Sequence, residues 1–207
     1  MPSKKIAKNY DHNRANTWIY SIMLGGGLVG SFASFILALD ELHLARDPNA
    51  VLQCGINLVL NCGTVMQTAQ ASLLGFPNMF IGLLAFPVIV TIALAGLFKT
   101  KFPKRFMQLA NVAVALGALF AYWMFFDSVY VIQTLCPWCL SVTFTMTVLL
   151  FAFTHYNAKE LNIGKSKKSQ QKIAKFFTQG YGNFVFACWI VALLALVYLK
   201  FGNDLFL

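Results

Sequence analysis

The chain has 207 residues, 58% of them hydrophobic and only 11% charged, with mean hydropathy +0.66 and net charge +9. Soluble domains carry about 25% charged residues, so this composition cannot cover a water-exposed globule and points to lipid as the solvent. The positive charge is spread over short loops between apolar runs, which excludes a basic face built for nucleic acid.

Residues 1–17 read as a cytoplasmic N-terminal segment carrying Lys4, Lys5, Lys8 and Arg14. The first apolar run, Trp18–Leu39, is too long for a cleaved signal and ends at Asp40-Glu41 without a small-residue cleavage site, so it should stay in the protein. Its Gly25-Gly26-Gly27 and Gly30 suit close helix approach. Segment 40–77 then carries Cys54 and Cys62. Within it, Thr64–Phe76 is too short to span, and reads either as an interfacial helix or as an ordinary loop. Four further apolar runs follow: Asn78–Phe98, with Pro87 expected to kink it, then Phe106–Phe126, Leu135–Phe153 and Phe184–Phe201. A bilayer crossing needs about 20 helical residues, and backbone groups in hydrocarbon must be paired within the segment. The expected class is therefore an all-α, polytopic membrane protein with five spans.

Charge then orients the chain. Fourteen of the sixteen Lys and Arg residues fall before span one, between spans two and three, and between spans four and five. Alternate loops thus obey the positive-inside rule, with the N-terminus cytoplasmic, the C-terminus external and both cysteine pairs on the external face. His43 and His155 fall at opposite faces and make no metal site; no metal is expected.

Four of the five cysteines lie on that external, oxidising side. Cys136-Pro137-Trp138-Cys139 opens span four, where two sulfurs can bridge across one helical turn and the helix dipole favours a thiolate. Pro137 suits the first turn, where its missing N–H costs nothing. Cys54 and Cys62 sit on a loop that can move between reaction partners, as a disulfide relay needs. Two structural disulfides, or a non-enzymatic scaffold or transporter stapled by them, would also account for four external cysteines. Intramembrane charges, expected in a transporter, are missing from the spans except at their ends. Cys188, alone in span five, reads as a small packing residue.

At these residues the sequence resembles the vitamin K epoxide reductase family, in its bacterial branch. The resemblance runs from about Trp18 to His155 and rests on Cys54 and Cys62, then Val65 and Thr68, then Gly75-Phe76-Pro77-Asn78 with Gly82, and finally Cys136-Pro137-Trp138-Cys139. It implies a four-helix catalytic core over 18–156 surrounding a quinone (menaquinone or ubiquinone), followed over 157–207 by a basic loop and a fifth transmembrane helix. Cys136 and Cys139 would be the redox centre, with Cys139 adjoining the quinone. Cys54 and Cys62 would shuttle electrons from a DsbA-type or thioredoxin-like partner. Asn78 would donate a hydrogen bond to a quinone oxygen, and Thr68 would help hold the loop. Phe80 and Trp138 are candidates to pack on the quinone. Vertebrate enzymes of the family that reduce the epoxide carry Tyr four residues after the second cysteine of the pair; Thr143 stands there, which favours quinone reduction over epoxide reduction. DsbB-type oxidases also pair a quinone with two cysteine pairs, but place Cys-x-x-Cys in the first external loop, the reverse of the order here. In some bacterial relatives the fifth span leads into a fused thioredoxin-like domain; this chain ends at Leu207, so the partner is expected to be a separate protein.

Overall fold

The computed structural model describes residues 3–47, 50, 52, 54–55, 59–160 and 181–202. The basic loop expected over 161–180, residues 203–207 after the fifth span, and the side chains of Lys4, Lys5, Lys8 and Arg14 lie outside the described residues.

Five long helices carry the five apolar runs, and each is long and apolar enough to cross a membrane. They are α1 (Ser3–Arg46), α3 (Met79–Leu97), α4 (Lys104–Asp127), α5 (Pro137–Lys159) and α6 (Tyr181–Phe201). The short helix α2 (Cys62–Met66) and a 3-10 turn (Ala69–Ser72) lie between α1 and α3. Thr64–Phe76 therefore forms two short turns rather than one interfacial helix. The protein is an all-α, multi-pass membrane protein, as its composition requires.

At 44 residues, α1 is about 66 Å long at 1.5 Å per residue. It is the central post, packing along both α3 and α5, while α4 packs on α5. Small residues make the α1–α3 seam possible. A Cβ on Gly27 would stand 2.8 Å from Val90 Cγ2, and a Cβ on Gly30 would enter the ring of Phe86. Opposite them, a Cβ on Gly82 would meet Ser34 Oγ, and one on Gly96 the Tyr20 ring. Pro87 lies inside α3; its ring removes the N–H that Leu83 C=O would accept.

The main core joins Ile19, Tyr20 and Met23 of α1 to Phe86 and Ile92 of α3, Met107 and Ala118 of α4, and Leu149 and Phe153 of α5. A second cluster, at one end of the bundle, gathers Leu37, Leu44, Leu52, Val65 and Met66 around Cys54, Cys62 and Cys136. Asn157, fully buried at the other end, donates through Nδ2 to Met107 O (2.9 Å) and Phe153 O (3.0 Å). The bond to Met107 O ties α5 to α4 where apolar side chains alone set no register.

α6 is the most peripheral helix. It touches the bundle through Phe186 against Phe151, Trp189 against Tyr122, and Phe201 beside Phe125, Val129 and Leu135.

Candidate active site

Two cysteine-bearing helix starts are held side by side by backbone. Past Asp127, α4 loosens into a π-turn (Ser128–Ile132) and reverses at Gln133, whose φ of 58° is left-handed. The buried Ser128 hydroxyl donates to Thr134 O and braces that reversal. Leu135 then pairs with Leu60 in an isolated parallel bridge: Leu135 N–H donates to Val59 O (2.6 Å) and Asn61 N–H to Leu135 O (3.0 Å). The next residue on each strand begins a helix. Asn61 caps α2 by accepting from Thr64 N–H, so Cys62 is its first residue; Cys136 is the cap of α5.

The bridge sets the sulfurs in contact. Cys54 and Cys62 form a disulfide, while Cys136 and Cys139 are free thiols. Cys136 Sγ lies 3.3 Å from Cys62 Sγ, across 74 residues of sequence. Cys62 and Cys136 are both essentially fully buried, and Cys54 is only slightly more exposed.

The ionisation of Cys136 follows from its position. The Cys139 thiol donates to its sulfur, as do the backbone N–H groups of Cys139 (3.2 Å) and Trp138, and together they hold it below the ordinary thiol range. Burial opposes them, as does the Asp40 carboxyl when it is ionised, and both lose. A helix-cap sulfur facing N–H donors is the usual setting of a stabilised thiolate.

Behind the cysteines lies a cavity of about 720 Å³, within the range that holds a small organic ligand. Its lining is nearly all apolar and runs from Cys136, Cys139 and Asn78 at the cysteine end to Phe106 and Phe153 at the other. Two lining residues, Val88 of α3 and Leu109 of α4, are 57% and 69% exposed. The cavity therefore opens sideways between α3 and α4, toward the hydrocarbon.

Of the residues singled out from sequence, Cys136, Cys139, Asn78 and Thr143 line this cavity; Thr68, Phe80 and Trp138 do not. Asn78 Nδ2 donates to Gln70 O (2.6 Å) and faces Met124 Sδ at 3.8 Å, while its buried Oδ1 has no partner. One strong bond fixes the amide; its second N–H meets only a weak sulfur acceptor. A carboxamide in an apolar cavity with an N–H that meets only sulfur fits a quinone, whose ring is apolar and whose oxygens accept hydrogen bonds, while the unpartnered Oδ1 can accept only from the O–H of the reduced form. Thr68 Oγ1 donates to Val65 O (2.7 Å) and ties α2 to the 3-10 turn. Trp138 packs edge-on against Phe32, with ring centroids 5.8 Å apart. Thr143 Oγ1 donates back to Cys139 O (3.0 Å). Cys188 is exposed on α6 rather than packed in the bundle.

Sequence reasoning missed the cavity's α4 wall and Asp40. Phe106, Ala110, Ala113, Gly117, Ala121 and Met124 face the cavity at steps of three or four residues, but α4 is apolar on several sides and no face stands out. Asp40 reads as the polar end of span one; the structure buries it against Cys54, with Oδ2 3.6 Å from Sγ.

No curated protein matches the chain. A model of the vitamin K epoxide reductase family matches residues 21–154. That match runs through the four helices around the cavity and takes in both cysteine pairs, so the chain belongs to the vitamin K epoxide reductase family, membrane oxidoreductases that couple disulfides to quinones.

Proposed function

We propose that the protein generates disulfides, carrying electrons from a separate thioredoxin-fold partner through Cys54/Cys62 to Cys136/Cys139 and on to a membrane quinone. The observation that carries this reading is the 3.3 Å contact between Cys62 and Cys136, with the second pair opening onto an apolar cavity. A merely structural disulfide has no need of a buried dithiol held against it.

The residues divide the work. Cys62 is turned to Cys136, which leaves Cys54 for the partner. The partner's thiolate attacks Cys54 Sγ, the Cys54–Cys62 bond breaks, and Cys62 leaves with the electron pair; the partner's second thiol then displaces Cys54 and closes the partner's disulfide. Cys62 next attacks Cys136 in the inner disulfide and Cys139 leaves as a thiolate. Cys54 closes on Cys62 and expels Cys136. The stabilised thiolate of Cys136 makes it the better leaving group there, because lower-pKa thiols leave faster. The inner dithiol then faces the cavity with two electrons and two protons to give up. A bound quinone would supply a hydrocarbon-soluble acceptor for both. Asn78 would orient its oxygen, and Thr143 would keep the first turn of α5 in place through the Cys139 carbonyl.

The membrane is a cytoplasmic one of bacterial type, with the N-terminus inside and the cysteines at the external face. The support is charge: Lys99, Lys101, Lys104, Arg105 and Lys159 all stand at helix ends opposite the cysteines.

The test is quinone reduction by purified protein supplied with a reduced DsbA-type partner. Wild type should turn over, and Cys139→Ala and Cys54→Ala should each abolish turnover. If wild type reduces no quinone while the substitutions only lower thermal stability, the cysteines are staples and this reading is wrong.

A further inference from the structure

Asp40 is the single charged side chain in the buried set among the described residues, 9% exposed, near the cysteine end of α1. Burying a carboxyl without a cation is costly, and among the described residues no Lys or Arg pairs with it. Its neighbour is a sulfur: Oδ2 lies 3.6 Å from Cys54 Sγ. A carboxyl oxygen of Asp40 and the sulfurs of Cys54 and Cys62 all lie within 4.8 Å of one another. The other titratable groups facing it are His43, on the same helix, and Cys136, from the start of α5.

A disulfide sulfur has no proton to give. With the Cys54–Cys62 bond closed, the contact is a hydrogen bond only when the carboxyl holds the proton and donates it. Once that bond is reduced, the direction reverses and the Cys54 thiol donates to the carboxylate. The carboxyl is thus placed to exchange one proton with one sulfur, in step with the redox state of the loop pair.

We propose that Asp40 is the catalytic base and acid of the loop pair, holding the proton that Cys54 must lose and regain. The inference rests on the relay proposed above and adds to it a group that touches a reacting atom. In the re-oxidation step Asp40 takes the proton from the Cys54 thiol. The Cys54 sulfur bonds to Cys62, the Cys62–Cys136 bond breaks, and the electron pair leaves on Cys136. The loop pair is oxidised by two electrons and the inner pair is reduced by two. When the partner later displaces Cys54, the protonated carboxyl returns the proton to the departing sulfur. Asp40 ends the cycle as it began.

The experiment uses the full chain in lipid nanodiscs, fully reduced and then mixed with excess quinone. Free thiols are trapped with an alkylating agent at timed intervals, and each pair is read by mass spectrometry. Wild type should oxidise Cys136/Cys139 first and Cys54/Cys62 second. Asp40→Asn, which removes a negative charge that opposes the Cys136 thiolate, should leave the first phase at least as fast as in wild type, which also reports an intact fold, and slow the second by about a hundredfold near neutral pH. That gap should narrow as pH rises and the Cys54 thiol ionises without help. Asp40→Glu, which keeps the carboxyl, should recover part of the rate and the wild-type pH profile. An Asp40→Asn second phase with wild-type rate and pH profile overturns this inference alone. A wild type whose inner pair is untouched by quinone overturns the relay, and this inference with it. If Asp40→Asn loses the first phase too, the side chain is a structural support rather than a base, and the inference fails.

Discussion

Cys136 owes its reactivity to three donors around its sulfur: the Cys139 thiol and the backbone N–H groups of Trp138 and Cys139 in the helix it caps. Because the Cys139 thiol is the largest of these effects, its removal has a defined sign. Alkylation follows the thiolate, so the rate at Cys136 in the reduced protein should rise with pH through a midpoint below that of an ordinary thiol. Cys139→Ala should move that midpoint upward and slow alkylation at any pH beneath it, read peptide by peptide in a mass spectrometer. Backbone donors remain, so some depression should persist. The Cys-Pro-Trp-Cys motif already announces this chemistry, since its spacing and Pro137 define a helix start. What the motif does not contain is the direction each sulfur faces. Asn78 is similar: its type suggests a hydrogen bond, but only the bond to Gln70 O leaves Oδ1 stranded.

Among the helices, the glycines of α1 separate sharply by where they face. A Cβ on Gly25 meets nothing within 4 Å, whereas one on Gly30 enters the Phe86 ring and one on Gly26 stands 3.0 Å from Leu149 Cδ2. Four glycines close together in sequence therefore have unequal worth. Gly30→Ala should destabilise the protein by about 1–3 kcal/mol, the usual cost of overpacking. Gly25→Ala should stay within about 0.5 kcal/mol of wild type, as surface changes do. Detergent-induced unfolding of the two variants side by side checks both. The run of small residues could be read from sequence as a sign of close approach; which of them touch α3 depends on how α1 is rotated, and a helix apolar on most sides carries no mark of that rotation.

On the scale of the whole molecule, α6 stands apart from the four helices around the cavity. Its polar link is Trp189 Nε1–H to Tyr122 OH at 2.7 Å, and Tyr122 in turn lies 2.6 Å from Thr147 Oγ1 of α5. None of α6 lines the cavity. A chain ending after residue 160 should keep quinone reduction and unfold more readily, and Trp189→Phe alone should cost about 0.6 kcal/mol, typical of a hydrogen bond between membrane helices. Loss of turnover in the shortened chain would show that Phe201, packed beside Leu135, supports the bridge that aligns the cysteines.

Partition into lipid is a local property. A run such as Phe106–Phe126 spans because of its own composition, and the five spans and their loops could be read one at a time. The two cysteine pairs could likewise be assigned to one end of the bundle, because crossing the membrane an odd or even number of times is arithmetic. The tertiary structure alone decided that Cys62, not Cys54, meets Cys136, since that depends on a bridge between Leu60 and Leu135. It alone placed Asp40 against Cys54 and opened the cavity between α3 and α4. Those facts are packing between segments far apart in the chain, where apolar faces are interchangeable and a few hydrogen bonds select the register.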